Sequence, residues 1–206
     1  MPNKYWALKL TGIIIFIFIL QNIFKPLTDM FVLNSSLVLS RPWTLLTGVF
    51  LHGNLGHLLL NSLGLALFGS FLENYIGSKK FLTCFFISGL VSSVFSSFFY
   101  PASLGASGAI FGVMGTLAYL KPTMTIWINF LPMPLWIAAI YWTIENIIGI
   151  FIPHQIANLA HLSGLGFGLF FGYFIKEKSN KKIRKKKNNI MLNKEELEEW
   201  EDKFLK

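Results

Sequence analysis

Residues 105–120 read GASGAIFGVMGTLAYL, with no charged side chain, a serine at 107 and glycines at 108, 112 and 115. The chain around this stretch is of the same kind. Of its 206 residues 53% are hydrophobic, 16% aromatic and only 14% charged, and the mean hydropathy is +0.55. A soluble domain averages about 25% charged residues. Here the charges gather in a few short segments between long apolar runs, so the solvent for most of the chain is a lipid bilayer.

A helix crosses a bilayer with about 17 to 25 mainly apolar residues. Working outward from residue 107, six segments are expected as spans: 7–24, 55–73, 81–100, 106–120, 133–152 and 158–175. The expected architecture is an all-α membrane protein, a six-transmembrane-helix bundle over residues 1–176, with a basic tail over 177–206. The fourth segment is short and the second begins with polar residues, which is where function makes a membrane segment depart from the rule. Gly12 to Leu20 follows Lys4 and Lys9 but has no small-residue cleavage site behind it, so it reads as a retained first span.

Six alternating spans put Lys4, Lys9, Lys79, Lys80, Lys121 and the eight basic residues from Lys176 to Lys187 on one side, against Lys25 and Arg41 on the other. The positive-inside rule then places both termini in the cytoplasm of a multi-pass cell-membrane protein. An odd number of spans would separate Lys121 from the 176–187 run. The net charge of +8 is therefore an orientation signal, and no nucleic acid partner is expected. The single cysteine, Cys84, lies in an apolar stretch, which excludes an intramolecular disulfide and a CxxC metal site. In the tail, Asn193 to Glu196 resembles a capping box with Leu197, Trp200 and Phe204 at helical spacing behind it; two readings stand equal, a solvated tail and a short amphipathic helix lying on anionic lipid.

In this orientation spans two, four and six all run inward from the outer face, so their first turns share one depth. Those turns carry His57 and Asn61, Ser107, and Asn158 and His161. Such groups cost several kcal/mol each in hydrocarbon unless they find partners, and they are expected to find each other. His57 and Asn61, four residues apart, share a helical face and can aim donors at one point. Gly164, Gly168 and Gly172 form a small-residue stripe on the face of His161, and Gly108, Gly112 and Gly115 form another beside Ser107. Stripes of this kind let backbones approach closely in lipid. Meeting stripes would carry the Ser107 hydroxyl to the His161 ring, the arrangement nucleophilic catalysis requires. Any one of these residues alone is more often a structural hydrogen-bonding group; the joint pattern points to chemistry.

The ordered set of Arg41-Pro42-Trp43, FLHGNLGHLLLN over 50–61, Glu73 with Gly77-Ser78-Lys79, Gly105-Ala106-Ser107-Gly108, and Ala160-His161 with Gly164 and Gly168 resembles the rhomboid intramembrane serine proteases. The resemblance covers about residues 41–172. It is distinct from the soluble hydrolase elbow GxSxG, because residue 109 is alanine. It implies a serine endopeptidase with a dyad of nucleophile Ser107 and general base His161, lacking an acidic third member. It further implies an oxyanion hole from His57, Asn61 and the backbone N–H of Ser107. Phe111 would pack against the imidazole where many relatives carry tyrosine, Asn158 would steady the start of span six, and Gly105 is a supporting position. Residues from about Lys25 to Phe50 would be the family's membrane-dipping first loop. The implied substrates are single-span membrane proteins, cut within membrane lipid near the outer ends of their spans; no cofactor and no metal is implied.

Other protease chemistries lack their parts: there is no HExxH and no pair of intramembrane aspartates. Glu145 is expected to be a hydrogen-bonded structural acid near the outer end of span five, and His52 and His154 to lie in outer loops. Two other classes compete. A catalytically silent rhomboid-like protein would bind transmembrane clients, but such relatives usually lose the serine or the histidine, and both are present. A small transporter would use the polar layer for a solute, yet no inverted repeat relates the two halves.

Overall fold

The structure, a computed structural model, describes residues 5–128, 130–152 and 156–204, without the side chains of 179–196, 200 and 202. Lys4 and His154 lie outside the described residues. Helix α1 spans Trp6–Ile23, α2 Leu55–Ile76, α3 Ser78–Phe99, α4 Ser107–Leu120, α5 Leu135–Ile150 and α6 Asn158–Phe204. Each overlaps one of the six apolar segments. By length and composition α1, α2, α3 and the Asn158–Lys178 part of α6 can cross a membrane, whereas α4 and α5 are shorter apolar helices of 14 and 16 residues. The chain divides into two compact units, Met1–Gly172 and Tyr173–Lys206.

The first unit is apolar on its outside as well as its inside. Ile14, Leu65, Leu72, Phe81, Phe85 and Leu117 are fully buried, while Phe16, Ile19, Leu60, Phe98 and Ile148 are exposed. A contiguous apolar exterior is stable only where the surroundings are lipid. Helix α4 is the exception that explains its own length. From Gly108 to Ala118 every residue except Phe111 is buried, so α4 is sheathed by protein rather than lipid. Its 14 residues give about 21 Å at 1.5 Å per residue, short of the ~30 Å hydrocarbon thickness.

Small residues make that sheathing close. A Cβ on Gly168 would strike the backbone of Gly112, one on Gly164 the backbone of Gly108, and one on Gly112 the Ser88 side chain. Thr116 Oγ1 donates to the carbonyls of Gly112 and Gly168, both at 2.9 Å, and so bonds α4 to α6 as well as to itself. The two glycine stripes therefore do meet, and the α4 stripe also receives the serines of α3.

Helix α1 is fixed at its start by Glu73 near the end of α2. The buried carboxylate accepts the N–H groups of Trp6 and Ala7, each at 3.0 Å, and the Ser78 hydroxyl at 2.6 Å. This satisfies first-turn donors that no intrahelical carbonyl can reach.

Two short antiparallel strand pairs accompany the helices. Strand β1, Leu33–Asn34, pairs antiparallel with β2, Ala102–Ser103, and β3, Thr125–Ile128, pairs with β4, Leu131–Pro134. The second pair takes residues 133 and 134 out of the expected fifth span, because Pro132 and Pro134 lack an N–H and suit an edge strand better than a helix. Helix α6 is continuous to Phe204, and no glycine or proline between residues 173 and 204 breaks it.

Candidate active site

Ser107 is the first residue of α4, so its N–H has no carbonyl one turn earlier to bond and remains available. The approach to it is held from the first loop. Gly105 N–H donates to Gly48 O at 2.9 Å, and the β1–β2 pairing ties Ala102 and Ser103 to the same loop. Gly105 has φ +122, a conformation that side chains disfavour, and a Cβ there would lie 2.5 Å from His57 Cε1 and 2.7 Å from its Nε2. The His57 ring thus rests on the bare backbone two residues before Ser107.

His161 sits in the first turn of α6. Its Nε2 is 2.7 Å from Ser107 Oγ, and its Nδ1 is 2.8 Å from Asn146 Oδ1 of α5. The Phe111 ring, one turn along α4 from Ser107, stacks on the imidazole with centroids 4.4 Å apart and 9° between planes. Trp142 meets Phe111 edge-on at 6.4 Å. Tyr100, just after α3, supports the start of α6: its hydroxyl accepts the Leu159 N–H at 3.1 Å.

Of the residues singled out in the sequence, Ser107, His161 and Phe111 come into direct contact, and His57 and Gly105 pack together beside them. Asn158 is buried where α6 faces α5, its carboxamide filling the space over Gly149. Asn61 is buried; its Nδ2 donates one hydrogen to the His57 carbonyl at 2.8 Å, and its Oδ1 has no partner among the described residues.

His52 lies in the loop before α2 but is buried there. It is 2% exposed, with its backbone clamped by Gln21 of α1: Gln21 Oε1 accepts its N–H at 3.0 Å and Gln21 Nε2 donates to its carbonyl at 3.3 Å. Its ring meets that of His57 edge-on at 5.1 Å, and both ring nitrogens lack partners among the described residues. Burial, and secondarily the neighbouring His57, pushes the His52 imidazole down to about 4. Glu145 lies on the exposed face of α5, away from His161.

Asn146, Trp142 and Tyr100 were not picked out from the sequence. For Asn146 a signal exists: a carboxamide inside an otherwise apolar helix is costly unless partnered, although the charged Glu145 beside it is more conspicuous. A cavity of about 30 Å³ abuts Ser107 and is lined by Ser92, Ser93, Ser96, Gly105 and Gly108 among others. The hydroxyls of Ser92 and Ser96 have no partner among the described residues. A polar pocket of that size holds a water molecule.

Taken together, a hydroxyl bonded to an anchored imidazole beside a helix start and a hydroxyl-lined pocket can perform acyl transfer. The chain is similar to known proteins. Residues 39–178 match the family model of the Rhomboid domain. The chain is 30% identical over 155 residues to Rhomboid protein 1, mitochondrial, of Saccharomyces cerevisiae, covering 69% of this chain and 44% of that protein. It is 37% identical over 134 residues to RHOMBOID-like protein 1 of Arabidopsis thaliana, covering 64% and 34% respectively. It is 41% identical over 88 residues to the rhomboid protease GluP of Bacillus subtilis, covering 42% and 17%. The matched region thus spans less than half the length of each of these relatives.

Proposed function

The chain belongs to the rhomboid family of integral membrane proteins, and on that footing we propose that it is an intramembrane serine endopeptidase acting through Ser107 and His161. The observation that carries this reading is the 2.7 Å contact between Ser107 Oγ and His161 Nε2. Single-span membrane proteins are the substrates, cut near the outer ends of their spans. All six apolar helices, α4 and α5 included, make up the membrane bundle; both termini lie in the cytoplasm and the site opens toward the outer side. The one-sided distribution of lysine and arginine supports that orientation.

In the first half-reaction Ser107 Oγ bonds to the scissile carbonyl carbon while its proton passes to His161 Nε2. The carbonyl electrons move onto oxygen, where the Ser107 N–H at the start of α4 and the groups of His57 and Asn61 stabilise the anion. Collapse of the tetrahedral species breaks the C–N bond, and the His161 proton leaves on the amine. In the second half-reaction water attacks the acyl-serine, giving its proton to His161, and the carboxylate departs as Ser107 recovers its own. Water reaches this depth through the hydroxyl-lined pocket beside Ser107. Phe111 keeps the ring plane fixed throughout.

The test is cleavage of a model single-span substrate in proteoliposomes, with labelling by a fluorophosphonate probe in parallel. Parent protein is expected to cleave and to label, and Ser107→Ala to do neither. Cleavage by Ser107→Ala at the parental rate would overturn the assignment. A parent that neither cleaves nor labels would favour the catalytically silent, client-binding reading.

A further inference from the structure

Resting on the assignment of Ser107 as nucleophile and His161 as base, we infer that Asn146 is a positioning residue: its side-chain oxygen holds His161 in the tautomer that carries the proton on Nδ1 and leaves the Nε2 lone pair facing Ser107.

The inference follows from donor and acceptor inventory. Asn146 is 4% exposed, so its carboxamide must find partners inside the protein. One end lies 2.8 Å from the carbonyl oxygen of Trp142, one turn back on α5. A carbonyl only accepts, so that end is the NH₂ group. The other end, 2.8 Å from His161 Nδ1, is therefore the oxygen, which also only accepts. Nδ1 must then be the protonated nitrogen. A neutral imidazole has one N–H, so Nε2, 2.7 Å from Ser107 Oγ, is left as acceptor of the hydroxyl proton. Inverting the carboxamide would set one oxygen against another at the Trp142 carbonyl. The helix thus locks the amide, and the amide locks the ring.

The arrangement also suits the cycle. When His161 takes the Ser107 proton, Nδ1–H continues to donate to Asn146 Oδ1, so the ring gains charge without changing partner. Phe111 fixes the plane of the imidazole by stacking, at 4.4 Å; Asn146 fixes its rotation within that plane. Being neutral, the amide orients the ring without adding the charge that an aspartate would supply in the same place.

The experiment uses the full chain in detergent micelles. The protein has four histidines, so ¹⁵N-histidine labelling with a His161→Gln spectrum for assignment reads the tautomer of His161 directly. The Nδ1–H form is expected in the parent, and a mixture of forms in Asn146→Ala. In proteoliposome kinetics Asn146→Ala is expected to lower kcat by roughly 10- to 100-fold with KM unchanged, a part of the about 10²- to 10⁴-fold that a positioned acid–base group contributes. Asn146→Asp restores an acceptor at the same point and is expected to recover most of that loss. An Nε2–H tautomer in the parent, parental kcat in folded Asn146→Ala, or Asn146→Asp as slow as Asn146→Ala would each overturn the inference. Should the parent itself fail to cleave and to label, the proteolytic reading falls, while its spectrum still decides where Asn146 places the proton.

Discussion

The ring of Phe111 lies parallel to that of His161, with centroids 4.4 Å apart and planes inclined by 9°. The contact joins α4, which carries the proposed nucleophile Ser107, to α6, which carries the proposed base. Aromatic stacking of this kind contributes about 0.5–1.5 kcal/mol, equivalent to roughly a 2- to 13-fold change in the population of the productive ring orientation. Phe111→Leu is therefore expected to lower kcat by up to roughly 10-fold without altering KM, and Phe111→Tyr to retain activity. Steady-state kinetics on a model substrate checks both, and unchanged kcat in Phe111→Leu would remove the ring from the mechanism.

The crossing of α4 and α6 leaves no room for a side chain at Gly168, whose Cβ would strike the Gly112 backbone, whereas Gly166 on the same helix has open space around it. Overpacking costs typically about 1–3 kcal/mol. Thermal unfolding in detergent is expected to show Gly168→Ala destabilised by about that amount and inactive at temperatures where Gly166→Ala behaves as the parent. Equal melting of the two variants would contradict the packing described.

His57 rests on Gly105, next to the N–H at the start of α4. Loss of one oxyanion donor typically costs about 10² to 10³ in turnover. His57→Ala is expected to fall in that range, with the hydroxyl still labelled slowly by a fluorophosphonate. Asn61→Ala should be milder, because one amide hydrogen is already engaged by the His57 carbonyl. Turnover measured at saturating substrate separates the three levels of parent, Asn61→Ala and His57→Ala.

His52 gives a prediction about acid. Its imidazole is pushed down to about 4 in the folded protein from an ordinary value of 6.5. Below 6.5 the unfolded chain takes up a proton that the folded chain refuses, so stability must fall as the pH drops from 6.5 toward 4 and level off below that. Melting temperature in detergent, followed from pH 7 to pH 4.5, is expected to drop less for His52→Gln than for the parent. Identical pH profiles would show that His52 does not carry the effect.

Much of the bundle was legible because polar groups and glycines are conspicuous in lipid-soluble sequence. Ser107 and His161 stood out as costly groups in apolar segments, and the stripes of Gly108, Gly112, Gly164 and Gly168 announced two helices in backbone contact. The buried position of His52 was not legible, because it depends on Gln21 of α1, 31 residues away. Nor was the strap that presents Gly105, since Leu33 and Ser103 pair across 70 positions of chain.

The sequence alone determined that this is a membrane protein, where its apolar helices lie, and which residues are too polar to be there without a partner; each follows from the free energy of placing a group in hydrocarbon. Tertiary structure decided which face of each helix turns inward. Helix α5 shows why: a lipid-facing side and a protein-facing side are both apolar, so periodicity cannot distinguish them, and only the packing of α5 against α4 and α6 turns Asn146 to His161 and leaves Glu145 outside.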